Sequence, residues 1–555
     1  MKTMQIALAT LVAGLCVVGT LADLAELGFK ETTLPLLPEE KWWGGAGGDG
    51  QNQPYGATSS TRMMDLRVHG NTSAPLLVSS RGRFVWCERP FAYQFTNGVL
   101  RLHVRESASL EVEKPGETLR EAYLALAARH LRFDGKLPPE IFFSKPQWNN
   151  WIEIFLCGMN QKSADDYARE LAESGFPCGV YMMDGGWPTH QGAYEFYAKD
   201  FPDPKGMFAR IRSHGWIPLI WTAHFVSPDS REYKCLRYHK KLNGLDYLAY
   251  RAKPGSKEAG VVRWWSGISA IYDLTKPDAR DYYVKTLRDF AAAYGIAGFK
   301  FDAGDPKMFA EDIRFFDEEA EGVDYTRLYA ELAAQEFPYH EIRVSWKCGG
   351  LPLVTRLPDR AHSWASQRTI IPQIIAAGLL GCPYSVADMV GGGMEVSFVG
   401  VPLDEKLVLR SAALHALMPM MQFSLAPWRR LSPDGVKVCR QFATLHEAFA
   451  PYILACAREA SRTGAPIVRA MEYEFPNERF VQSRSQFMLG KRYLVAPVMN
   501  ADDSTVVELP PGTWTDDLGT SYEGPQTLEL RDVPISRLPR FERAPAPLIC
   551  ENEED

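Results

Sequence analysis

Gly298-Phe299-Lys300-Phe301-Asp302-Ala303-Gly304-Asp305 follows a helical run and reads as a short buried strand that delivers an acid into a glycine turn. Apolar Ile296, Phe299 and Phe301 surround Lys300 and Asp302, so two opposite charges alternate with large hydrophobes. Burying an unpaired carboxylate is costly, whereas a paired one stays ionised and can serve as a nucleophile or an electrostatic stabiliser. Asp302 is therefore the first candidate for chemistry; taken alone, the stretch also fits a structural Lys-Asp pair.

Outward from this strand the texture is regular. Upstream lies a helix over Pro277–Tyr294, with proline suited to the first turn, Val284, Leu287, Ala291 and Tyr294 at three-to-four spacing, and Gly295 to end it. Strands are expected at Trp151–Cys157, 179–184, 216–221, 342–347 and 384–388, and helices at 163–174, 207–214, 325–337, 369–380 and 405–417. Alternation sustained over residues 141–428 predicts a parallel (β/α)₈ TIM barrel, an α/β fold. In such barrels the carboxyl ends of the strands form the active face, and here they carry Asp184, Trp221, Asp302, Lys347 and Asp388. Several acids on one rim, without a His cluster of metal-binding type, point to carboxylate chemistry on a neutral polar substrate.

The flanks differ. Residues 23–140 show short alternating runs broken by glycine, proline and serine, which predicts an N-terminal β-sandwich; the stretch 44–56 reads as a loop ahead of the barrel that could reach a pocket mouth. Residues 429–465 read as a helical connection and 466–550 as a C-terminal β-sandwich, followed by an acidic tail at 551–555. Residues 1–22, with Lys2, an apolar run and a small-residue junction at Ala22, resemble a signal peptide, so the expectation is an exported chain with no membrane span after cleavage. The nine cysteines after Cys16 are scattered, with no Cys-x-x-Cys, and read as buried free thiols rather than metal ligands. A net charge of −7 and the lack of a basic run argue against nucleic acid as a partner. Asn71-Thr72-Ser73 is a glycosylation sequon.

Three ordered blocks resemble glycoside hydrolase family 31. These are the strand ending at Asp302; Asp359, Trp364, Ile371-Pro372, Gly378, Gly381, Pro383 and Ala387-Asp388; and Gln486 to Gly490 with Leu494-Val495-Ala496-Pro497 and Pro511-Gly512-Thr513-Trp514. The Lys-Phe-Asp-Ala-Gly-Asp form, Met183-Asp184-Gly185-Gly186-Trp187 and the 383–393 segment look most like the family's α-galactosidase branch. The resemblance implies Asp302 as nucleophile, Asp359 as general acid/base, and Asp184, Trp221, Trp265, Lys300, Arg343 and Asp388 around the sugar. It implies a retaining, exo-acting α-galactosidase acting on an oligosaccharide or glycoconjugate with no cofactor and no metal. The alternatives are an α-glucosidase, α-xylosidase or α-N-acetylgalactosaminidase of the same family, or a non-catalytic carbohydrate-binding descendant. One departure stands out: the family's usual Trp-x-Gly-Asp is Arg356-Leu357-Pro358-Asp359 here.

Overall fold

A computed structural model describes residues 28–57, 62–63, 71–238, 247–251, 258–309, 313–476 and 479–545; the expected signal peptide at 1–22 and the tail at 551–555 lie outside them. Eight short parallel strands form the barrel: β1 (Gln147–Asn149), β2 (Val180–Met183), β3 (Ile217–Thr222), β4 (Gly298–Phe301), β5 (Tyr339–Ile342), β6 (Thr355–Arg356), β7 (Ser385–Val386) and β8 (Gln422–Phe423). Their hydrogen-bonded order is β7-β6-β5-β4-β3-β2-β1-β8, and a parallel bridge between Val386 and Met420 links the two ends.

Local sequence explains the framing helices. Asn160 caps Gln161–Ser174 by accepting the Ser163 N–H; Ala164, Tyr167, Ala168 and Leu171 make its buried stripe, and left-handed Gly175 ends it. Pro277–Tyr294 starts with its proline and stops at left-handed Gly295, burying Tyr283, Val284, Leu287 and Phe290. The long helix Pro433–Thr463 packs on Glu405–His415 and on Ile141–Ser144, so the expected connection lies against the barrel wall.

Two expected strands take other forms. Trp151–Cys157 is a helix, and the first barrel strand is the short segment just before it. Asn149 Oδ1 accepts the Trp151 N–H at 2.9 Å and Ser424 Oγ accepts the Ile152 N–H at 2.7 Å, which satisfies two donors that a helix start leaves open and lets an apolar run coil. The expected strand at 342–347 is split. The barrel strand ends at Ile342, and Ser345–Trp346 pairs in parallel with Thr72 and Ser73 of the N-terminal region. No helix separates β5 from β6, because that connection is used to dock the neighbouring sheet.

The N-terminal region holds two sheets that share one buried cluster, including Leu77, Val85, Phe95, Leu100 and Leu102. Thr72–Ser79 is buried along its whole length, since Leu77 enters that cluster while Leu76 and Val78 join the barrel core. The stretch 44–56 is more ordered than a loop: Trp42–Ala46 is a buried strand, and the turn Gly47–Asn52 is wedged against helix Ile370–Leu379 so closely that a Cβ at Gly50 would fall 2.5 Å from the Gln373 Cα. Asn71 of the sequon is buried and its side-chain nitrogen donates to the Arg356 carbonyl at 2.9 Å, so it is spent on the barrel and closed to a glycan. Toward the carboxyl end, six antiparallel strands form one continuous sheet rather than a separate pair. The described cysteines are free thiols, mostly buried, and no helix among the described residues is long and apolar enough to cross a membrane.

Candidate active site

The register of the barrel decides which side chains meet. Trp221 of β3 pairs with Lys300 of β4, and Lys300 with Glu341 of β5, so these three occupy one layer. One step on, Asp302 and Arg343 leave the carboxyl ends of β4 and β5; the Asp302 N–H is held by the Thr222 carbonyl at 2.9 Å and the Arg343 N–H by the Phe301 carbonyl at 3.1 Å. The backbone then turns abruptly. Ala303 after β4 and Asp388 after β7 both sit at positive φ, 59° and 70°, a strained setting for residues with a side chain and one that collects at functional sites.

Asp302 is buried. Its Oδ2 accepts the Trp221 Nε1–H at 2.8 Å, its Oδ1 accepts the Ala303 N–H at 2.9 Å, and Arg343 stands 3.7 Å from Oδ1. Burial opposes ionisation here, but the positive charges of Arg343, Lys300 and Arg356 and the Trp221 bond outweigh it, so the carboxyl lies below the usual range. Lys300 does not pair with its strand neighbour: its ammonium is ion-paired with Asp184, deep behind the nucleophile candidate. Burial works against that ammonium, and the Asp184 charge more than restores it.

Asp359 lies on the loop after β6. The same Arg343 nitrogen that faces Asp302 donates to Asp359 Oδ2 at 3.2 Å, while Arg356 donates to Asp359 Oδ1. The two contacts to Arg343 limit the separation of those carboxylate oxygens to about 7 Å. Burial pushes the Asp359 carboxyl up, but Arg356 and Arg343 bring it down to about 2. Trp265, 55% exposed at the tip of the hairpin formed by Val261–Trp264 and Gly267–Ile271, lays its ring over the Arg343 guanidinium at 5.2 Å.

Five of the eight expected site residues, Trp221, Asp302, Arg343, Trp265 and Asp359, thus line one chain of direct contacts, and the Asp184–Lys300 pair stands beside it, with the Lys300 charge acting on Asp302. Asp388 joins through Arg356 and faces inward: it is 1% exposed, and its Oδ2 accepts the backbone N–H groups of Arg360 (2.8 Å) and Gly393 (3.0 Å). Lys347, expected on the same rim, is elsewhere, ion-paired with Glu88 of the N-terminal region. The residues that sequence reasoning passed over are Arg356, 3.3 Å from Glu341 and 3.5 Å from Asp388; Asp305, buried 3.4 Å from Arg343; Arg360; and Glu395, whose carboxyl is raised by burial and by Asp359. The signal for Arg356 was present as the departure from the family motif three residues before Asp359.

Residues 137–342 match the glycosyl hydrolases family 31 TIM-barrel domain and residues 464–546 the glycosyl hydrolase family 31 C-terminal domain, together just over half of the 555 residues. The chain is 27% identical over 431 residues to the myogenesis-regulating glycosidase of Mus musculus, covering 76% of this chain and 59% of that protein. It is 24% identical over 492 residues to the alpha-xylosidase XylQ of Lactiplantibacillus pentosus, covering 79% of this chain and 60% of the relative. It therefore spans little more than half of these relatives' own lengths. Among solved structures, a Flavobacterium johnsoniae GH31 dextranase superposes with a TM-score of 0.80 at 19% identity, covering 93% of this chain and 67% of the dextranase, which supports the fold. With the barrel, the C-terminal sheet and both domain matches in agreement, the chain belongs to glycoside hydrolase family 31.

Proposed function

We propose that the chain is a retaining, exo-acting α-glycosidase with Asp302 as nucleophile and Asp359 as general acid/base. The observation that carries this is the single Arg343 nitrogen lying 3.7 Å from Asp302 Oδ1 and 3.2 Å from Asp359 Oδ2, which places two acids from different barrel strands around one small space. Double displacement calls for carboxyl groups about 5–5.5 Å apart, against about 6.5–9.5 Å for inversion. Asp302, ionised and held by Trp221, attacks the anomeric carbon while Asp359 gives a proton to the departing oxygen; water then opens the glycosyl ester with Asp359 as base. Asp184 and Lys300 anchor sugar hydroxyls from below, and Trp221 and Trp265 wall the pocket. The two N-terminal sheets, read as a sandwich, brace the acid side through Asn71.

The glycone has two readings. Relatives and neighbours named for alpha-xylosidase, 1,3-alpha-isomaltosidase and dextranase activity favour an α-glucoside or α-xyloside. The Lys-Phe-Asp-Ala-Gly-Asp block around Asp302 favours an α-galactoside. A panel of 4-nitrophenyl α-glucoside, α-xyloside, α-galactoside and α-N-acetylgalactosaminide decides between them. On the accepted sugar, proton NMR is expected to show the α anomer released first. Absence of turnover across the panel would leave the carbohydrate-binding descendant. For export, N-terminal sequencing of the mature chain should begin just after Ala22.

A further inference from the structure

Asp359 is held as a carboxylate between two guanidinium groups. Both of its oxygens accept from guanidinium groups, Oδ1 from Arg356 and Oδ2 from Arg343, and both contacts favour the carboxylate over the acid. With those contacts in place Asp359 is ionised, so a general acid at this position takes up its proton when they loosen.

The surroundings indicate where it rests. Four cations, Lys300, Arg343, Arg356 and Arg360, face six carboxyls, Asp184, Asp302, Asp305, Glu341, Asp359 and Asp388, in a largely buried cluster. Charge balance favours protons on some of the acids. Asp305, Glu341 and Asp388 each carry a buried oxygen that accepts no hydrogen bond, and Asp388 is the one that shares an arginine nitrogen with Asp359: its Oδ2 is committed to two backbone N–H groups, whereas Oδ1 stands 3.5 Å from an Arg356 nitrogen. That nitrogen is the one bonded to Asp359 Oδ1. A Cβ added at Gly393 would lie 2.4 Å from Asp388 Oδ1 and 3.2 Å from Asp359 Oδ1, so both oxygens border the space that the glycine leaves open. Arg360 and Glu395 flank the pair, and His415 reaches it from helix Glu405–His415 through the Ala387 carbonyl at 3.2 Å.

We propose that Asp388 holds the catalytic proton in the resting site and passes it to Asp359 when a bound glycoside draws Arg343 away from Asp359 Oδ2. The proposal rests on the reading of Asp359 as the acid/base. In the transfer the Asp388 Oδ1–H bond breaks and an Asp359 O–H bond forms, directly or through one water. The negative charge moves to Asp388, where the Arg360 and Gly393 N–H groups and Arg356 receive it. Burial, with the Asp359 charge, pushes Asp388 up to about 6, while Asp359 stands at about 2, so the proton sits on Asp388 at mildly acidic pH.

The test compares an alkyl α-glycoside, whose leaving group needs a proton, with the 2,4-dinitrophenyl α-glycoside of the same sugar, across pH. In the wild type, kcat/KM on the alkyl substrate is expected to fall as pH rises through about 6. Asp388→Asn should lose at least tenfold more on the alkyl than on the dinitrophenyl substrate and shift that limb. Gly393→Ala, whose methyl group presses on both carboxyls while leaving both residues in place, should show the same bias and covers the case in which Asp388→Asn does not fold. Equal losses on both substrates, with the limb unmoved, would overturn the proposal and leave Asp388 as a backbone clamp. Asp359→Ala, run alongside, separates the two claims. If it shows the bias and the other variants do not, only the proton store fails; if it shows no bias, the acid/base assignment fails first.

Discussion

Asp302 and Asp359 are the same residue type on one rim, yet their surroundings are built in opposite ways. Asp302 is held by its immediate neighbours in the sheet: Trp221 from β3, its own following N–H from Ala303, and Arg343 from β5. Asp359 stands on a loop beyond a two-residue strand and is held by Arg343, which it shares with Asp302, and by Arg356, whose own support, like that of nearby Arg360, comes from far along the chain. The Arg356 carbonyl is gripped by Asn71, and Arg360 leans on Gln373, which in turn donates to the Gly48 carbonyl at 3.1 Å. The Asp302 side is secured by regular sheet register, and the Asp359 side by long-range polar contacts with the N-terminal region.

That contrast can be broken at both ends. The largest expected effect is Asp302→Asn, which removes the attacking oxygen and should cut turnover by on the order of 10⁴-fold or more on every substrate, whatever its leaving group. Next comes Asp359→Ala, with a loss of about 10²–10⁴-fold on glycosides with poor leaving groups and a much smaller one on activated aryl glycosides; equal losses would remove the acid role. Arg356→Met should act on stability as well as chemistry. It strips the shared cation from buried Glu341 and Asp388 and from partly exposed Asp359, and breaking such a cluster costs about 3–5 kcal/mol, readable in denaturant unfolding at neutral pH.

The same variant gives a pH signature. Asp359 is depressed in the folded state, so its contribution is present above the ordinary carboxylate pKa of about 4 and drains away as pH falls toward about 2. Unfolding followed from pH 5 to pH 2 should therefore steepen less in Arg356→Met than in the wild type. The smallest expected effect is Asn71→Ala, which removes one hydrogen bond to the Arg356 carbonyl. It should cost about 1–3 kcal/mol, and it should impair turnover of alkyl glycosides more than of activated ones if the Asp359 side depends on the N-terminal region. A neutral result would make that buttress incidental.

What the sequence made legible follows the same division. The strand ending at Asp302 could be read because alternation, a glycine turn and the preceding Pro277–Tyr294 helix are all local signals. The loop with Asp359 was reached through family resemblance, since β6, β7 and β8 are two residues each and leave almost no periodicity to detect. Residues 342–347 misled because Ser345–Trp346 is a genuine strand that belongs to another sheet. Trp151–Cys157 misled because its helical start depends on Ser424, nearly three hundred residues away. Asp388 was placed among the sugar contacts because position alone cannot show that its oxygens turn inward to Arg360 and Gly393.

Trapping of the covalent intermediate bears on the central claim most directly. The protein would be incubated with 5-fluoro-α-glycosyl fluorides of the candidate sugars, digested, and its peptides mapped by mass spectrometry. The expected result is a single glycosyl adduct on the peptide carrying Asp302. An adduct on another carboxylate, or turnover of the natural glycoside with first release of the β anomer, would contradict it.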